Sequence, residues 1–123
     1  MRILLLIGTG SFIGGVLRYA LSQFIQTKFL SAFPFGTLGV NIIGCFAIGI
    51  VFALSEKTNM SSEMRLFLAT GICGGFTTFS AFSNETFSLM RDGQLLYASA
   101  YITSSVLFGV FATFIGYSLL KLI

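Results

Sequence analysis

Four long apolar stretches separated by short polar ones make up nearly the whole sequence. The first runs from about Ile3 to Phe24 and is interrupted by a single charge, Arg18. A polar connection from Gln26 to Pro34 follows, holding Lys28 and the chain's only proline. The second stretch covers about Gly36 to Leu54, the third about Leu66 to Met90, and the fourth about Leu96 to Leu120. SEKTNMSSEMR, with Glu56, Lys57, Glu63 and Arg65, separates the second from the third. RDGQ, residues 91–94, separates the third from the fourth and is a tight-turn signal. About 20 apolar residues cross a bilayer as a helix. The pattern therefore predicts an all-α membrane protein, with four transmembrane helices in a single domain over residues 1–123.

Composition agrees with this. The chain is 55% hydrophobic and only 9% charged, with a mean hydropathy of +0.94. A soluble domain would carry roughly a quarter charged residues to cover its surface. The N-terminus, MRILLLIGTGSFIGG, has the parts of a signal peptide: a charge, an apolar run and small residues. Its apolar stretch continues past a typical signal length and lacks an A-x-A site, so it reads as the first span. Four short helices make a small bundle, and a pathway through it calls for more than one copy.

Several function classes drop out. The net charge of +3 includes no basic run, which argues against nucleic acid. Cys45 and Cys73 both lie in apolar stretches and read as buried thiols without a disulfide role. Histidine, the commonest general base and metal ligand, is absent. With one acid inside a span, Glu85, little catalytic equipment remains, and the chain does not read as an enzyme. No G-x-x-x-x-G-K-[ST] motif supports ATP-driven pumping.

Four spans put both termini on one side, with Arg2, Lys57, Arg65 and Lys121. Lys28, Arg91 and, near its span's end, Arg18 lie towards the other. So small a difference leaves two readings open: a cytoplasmic N-terminus, or a chain that inserts both ways and pairs antiparallel. GTGSFIGG and GTLGVNIIGCFAIG place small residues along helix faces, which permits close helix packing in lipid.

Polar groups within spans are expensive and need a reason. Asn41 is helix glue or a ligand contact. Arg18 either snorkels to headgroups or lines an anion-concentrating vestibule. Tyr101, Ser105 and Gly109 share one helical face at i, i+4 and i+8. The third stretch carries the strongest signal, GICGGFTTFSAFSNE (residues 71–85). Gly74 and Gly75 weaken a helix there, and Thr77 and Thr78 compete for its backbone groups. Carbonyls freed by an unwound stretch must face protein, water or a cation. Beyond it, Phe79 and Phe82 share one face and Ser80 and Ser83 another, with Glu85 about a turn further on. Ring edges carry the positive part of the aromatic quadrupole. Phenylalanine edges and hydroxyls thus make a neutral lining that attracts an anion without trapping it.

The string GGFTTFSAFSNE, with GxxxRY (Gly14–Tyr19) and GTLGVN (residues 36–41), resembles the Fluc/CrcB family of fluoride channels along essentially the whole chain. The resemblance implies passive fluoride export across the cell membrane by a dual-topology, antiparallel homodimer with two pores. It also implies a third helix broken at its middle and a structural sodium ion at the dimer centre, held by the backbone carbonyls of Gly74 and Thr77. On the same resemblance Phe79, Phe82, Asn41, Ser80, Tyr101 and Ser105 line the fluoride pathway, while Arg18 and Glu85 mark a vestibule or pore end. Ala81 and Gly109 replace residues that are often hydroxylic in the family.

Two rivals stay in view. A small multidrug-type, proton-coupled exporter shares the length and four spans, but uses an intramembrane carboxylate, usually in its first helix. Here that helix carries Arg18, and Glu85 lies late in the third. A non-transporting scaffold subunit would have the glycine faces and polar glue without a pathway.

Overall fold

A computed structural model describes all residues, Met1–Ile123, and the chain is helical almost throughout. Helix α1 is Arg2–Lys28 and α2 is Phe35–Lys57. Residues 62–76 form α3, made of an α-helical turn Ser62–Arg65, a π-helical run Leu66–Cys73 and a last α-helical turn Gly74–Phe76. Helix α4 is Phe79–Arg91 and α5 is Leu95–Leu122. With α3 and α4 taken as one stretch, Ser62–Arg91, four helical stretches are long and apolar enough to cross a membrane. The chain is a multi-pass membrane protein. Each helical stretch extends a few residues beyond the apolar run that predicts it, into the polar flanks.

The helix ends have local causes. Ser61 caps α3, its hydroxyl accepting from Met64 N at 3.1 Å, and Glu63 in the first turn complements the helix dipole. Thr78 caps α4 in the same way through Ala81 N at 3.1 Å. The RDGQ turn closes α4: Gly93 has φ +78, Gly93 N reaches Met90 O at 3.1 Å, and Gln94 N reaches Leu89 O at 2.8 Å. That pair of bonds around a left-handed residue is a Schellman motif, and glycine adopts the conformation without a Cβ penalty. Along the π-helical run the turns widen, and Gly74 N–H still reaches back five residues to Ala69 O.

Glycines govern how closely these helices approach. A Cβ on Gly10 would stand 2.7 Å from Phe67 O, and one on Gly75 would stand 2.6 Å from Ser11 O, so α1 and α3 meet backbone to backbone. Gly49 meets Thr113 O, and Gly116 meets Phe46 O, which seats α2 on α5 in the same manner. Thr113 Oγ1 also donates across that seam to Cys45 O at 2.9 Å. Both cysteines are free thiols, Cys73 buried and Cys45 half-buried.

Charges gather at one end of the bundle. Arg2 pairs with Glu63 at 3.0 Å, Lys121 with Glu56 at 3.2 Å, and Tyr117 donates to Glu56 at 2.6 Å. These contacts join the start of α1 to that of α3, and the end of α2 to that of α5. Towards the other end, a buried cluster of Leu89, Ala98 and Tyr101 is covered by Phe33, Leu38 and Phe82. Large apolar side chains such as Phe12, Leu107 and Phe111 point outward, as a lipid solvent allows.

Candidate functional site

Between α3 and α4 the backbone leaves the helical region for two residues. Thr77 has φ −92 and ψ 159, and Thr78 has φ −149 and ψ 121. Extended residues at membrane depth must have their backbone groups satisfied from elsewhere. Asn41, on α2, supplies most of this: Thr78 N donates to its Oδ1 at 2.8 Å, and its Nδ2 donates to Thr78 O at 3.1 Å. Arg18 Nε, on α1, donates to Gly75 O at 3.2 Å. A cation there also meets the negative end of the α3 dipole. Thr77 closes on Cys73 O through both its backbone N–H at 3.0 Å and its hydroxyl at 3.1 Å. No side chain of the protein donates to the carbonyl of Gly74 or of Thr77.

Beside this interruption lies a groove of about 400 Å³. Phe79 and Phe82 form part of its wall, with Asn41, Thr78, Gly74 and Thr77 around the interruption and Ser105 on α5. Cys45 and Cys73 complete the apolar side, and no charged side chain lines it. The Phe79 and Phe82 rings are 5.6 Å apart at 42°, and Phe79 is 78% exposed in the single chain. Ser105 Oγ is buried and has no hydrogen-bond partner. It is the only side-chain polar atom of which this is true.

The remaining expected residues fall around the groove and not on it. Ser80 is exposed, its hydroxyl 3.4 Å from that of Thr78. Tyr101 is wholly buried behind Phe82, ring centroids 5.0 Å apart. Its hydroxyl donates to Glu85 Oε1 at 2.8 Å, and Thr37 Oγ1 donates to Glu85 Oε2 at 2.9 Å. Glu85 thus has a hydroxyl on each carboxylate oxygen, contributed by α2 and α5. Arg18 lies on the far side of the interruption, engaged with the backbone.

Thr78, expected from sequence to loosen the helix, is the residue whose peptide groups Asn41 holds. Two participants escape the sequence reading. Thr37 had an available signal, since it precedes Asn41 by one helical turn within GTLGVN and shares its face. Gln26 orders the α1–α2 connection: its Nε2 donates to Ser31 O at 3.1 Å and Phe33 O at 3.2 Å, and its Oε1 accepts from Gly36 N at 2.9 Å.

This chain is similar to known proteins over nearly its whole length. The family model described as CrcB-like protein, Camphor Resistance (CrcB), matches residues 5–117. A fluoride-specific ion channel FluC of Chlorobium phaeobacteroides (strain BS1) is 46% identical over 123 residues, covering 97% of this chain and 93% of the relative. Fluoride-specific ion channel FluC 1 of Methanosarcina acetivorans is 47% identical, covering 94% of this chain and 88% of the relative. The protein called fluoride-specific ion channel FluC in Aquifex aeolicus is 43% identical, covering 97% of each. The match reaches from α1 into α5, taking in both the interruption at Thr77 and Thr78 and the groove beside it, and the chain belongs to the CrcB family.

Proposed function

We propose that this protein is a fluoride-selective channel that lets the anion leave the cell passively, lowering cytoplasmic fluoride. The observation that carries the reading is the free, buried hydroxyl of Ser105 beside the Phe79–Phe82 pair in an uncharged groove. Fluoride is small and strongly hydrated, so its path must replace water with donors. Ser105 offers one proton, and Asn41 offers the Nδ2 proton that Thr78 O does not take. Phe79 and Phe82 add ring edges, which attract an anion more weakly than a lysine or arginine would. Weak sites favour throughput. Tyr101 directs its only hydroxyl proton at Glu85, so its part in the path is to back the Phe82 ring and anchor Glu85. The relatives' names supply the identity of the anion.

A single chain leaves Phe79 largely uncovered and the groove walled on one side. A second copy, packed antiparallel, would close it, and two copies would give two pores. The same pairing gives the interruption in the third span a purpose. The carbonyls of Gly74 and Thr77 are hard oxygen ligands that no side chain engages, so they fit a sodium ion. One chain offers two such oxygens, and a second copy doubles them. The bound ion would supply fixed positive charge that compensates the unwound backbone. Catalysis has no part in this account, and neither has ATP.

The reading is tested with purified protein in fluoride-loaded liposomes, following release with a fluoride electrode. Wild-type protein releases fluoride, and Phe82→Ile abolishes or strongly slows release while the dimer survives on gel filtration. Unchanged release in that variant would show that the ring is lipid-facing or core. A pH-driven efflux of cationic dyes would instead favour the proton-coupled exporter, and no fluoride release at all the scaffold.

A further inference from the structure

Aromatic rings continue beyond the groove in an unbroken series. Phe79 meets Phe82 at 5.6 Å, Phe82 meets Tyr101 at 5.0 Å, and Tyr101 meets Phe33 at 5.6 Å and 77°. Phe33 also meets Tyr97 edge-on, at 5.6 Å and 85°. Edge-to-face contacts of this kind fix the relative orientation of rings as well as burying area. Phe33 does not belong to a helix. It sits in the connection between α1 and α2, where side-chain disorder would be the ordinary expectation.

Its placement is built with several bonds. Gln26 holds the connection at three points, Ser31 O, Phe33 O and Gly36 N. Phe33 N donates to Ser31 Oγ at 3.1 Å. Phe35 N donates to Phe33 O at 2.9 Å across Pro34, whose φ of −81 and ψ of 70 are those of an inverse γ-turn. Nothing in the groove itself calls for so ordered a connection. The ring it delivers covers Tyr101, which is fully buried beneath it.

We propose that Phe33, seated by Gln26, is a positioning residue for the anion path: it sets the Tyr101 ring, and through it the angle at which Phe82 faces the groove. This rests on the channel reading above. The α1–α2 connection is then a part of the pore's support, and loosening it changes conduction without touching any group that meets the ion.

Fluoride release from liposomes is measured for Phe33→Ala and Gln26→Leu, each checked for an intact dimer by gel filtration. Gln26→Leu keeps the Phe33 side chain and every residue of the buried cluster and removes only the three bonds that seat the connection, so it serves where Phe33→Ala fails to fold. Both are expected to slow release several-fold. Phe33→Ala is then combined with Tyr101→Leu, which removes the ring that relays the effect. The double variant is expected to match Tyr101→Leu alone; because the two rings touch, that result shows their coupling. Slowed release in Gln26→Leu, where every residue of the buried cluster is kept, is the outcome that a loss of packing would not produce. Wild-type release in Gln26→Leu, or a full additional loss in the double variant, would overturn the proposal while leaving the channel reading intact. Failure of the wild-type protein to release fluoride would overturn the channel reading itself, and this proposal with it.

Discussion

Asn41 grips Thr78 by both of its peptide groups, accepting from the N–H at 2.8 Å and donating to the carbonyl at 3.1 Å. A side-chain amide has the same donor and acceptor as a peptide unit, so Asn41 plays the part of a neighbouring strand for a residue that has left its helix. The residue that sequence reading leaves between helix glue and ligand contact is engaged, first of all, in keeping the interruption satisfied.

Asn41→Asp separates these roles. A carboxylate still accepts from Thr78 N but has nothing to donate to Thr78 O, and sets two acceptors facing each other. The variant is expected to lose about 1–3 kcal/mol of stability, the cost of an unsatisfied buried group, and to conduct more slowly. Thermal unfolding in detergent and fluoride release check the two effects. An unchanged midpoint would mean that water or lipid headgroups serve Thr78 equally well.

Gly49→Ala tests the glycine seam between α2 and α5. A Cβ at Gly49 would collide with Thr113 O, a backbone atom that moves only if the helices part. Overpacking of this kind costs about 1–3 kcal/mol. Gly8→Ala is the control, since nothing lies within 4 Å of a Cβ there. A lowered thermal midpoint for the first and none for the second is expected. Equal midpoints would show that the seam is loose.

Sodium removal tests the proposed use of the Gly74 and Thr77 carbonyls. Prolonged dialysis of detergent-purified protein against sodium-free potassium or choline buffer is expected to lower the thermal midpoint, and readdition of sodium to restore it. A midpoint indifferent to sodium, even after unfolding and refolding in its absence, would remove the ion from the account.

Much of the fold is legible in the sequence because lipid imposes a simple rule: a span is about 20 apolar residues, and all four stretches obey it. The departure from helix at Thr77 and Thr78 is signalled by the paired threonines. Gly74 and Gly75, which also weaken a helix, stay in the last turn of α3, so the interruption is shorter than the sequence suggests. The π-helical run Leu66–Cys73 is not legible, because LFLATGIC carries no π signal of its own. Over that run α3 seats Gly71 against Gly10 of α1, a contact between residues far apart in sequence. The partners of Glu85 are hidden for the same reason. Thr37 lies 48 residues away and Tyr101 lies 16, and only the packed bundle brings both hydroxyls to one carboxylate. The i, i+4 stripe of Tyr101 and Ser105 is real as a periodicity, yet the two hydroxyls differ in kind. One is committed to Glu85 and the other is free.

The central claim is selectivity for fluoride along an uncharged, phenylalanine-lined path, and paired efflux measures it most directly. Liposomes carrying the wild-type protein are loaded with fluoride and chloride together, and both ions are followed with electrodes after dilution into a sodium-containing buffer with valinomycin present. Rapid release of fluoride with chloride retained is the predicted result. Equal release of the two ions would contradict the account.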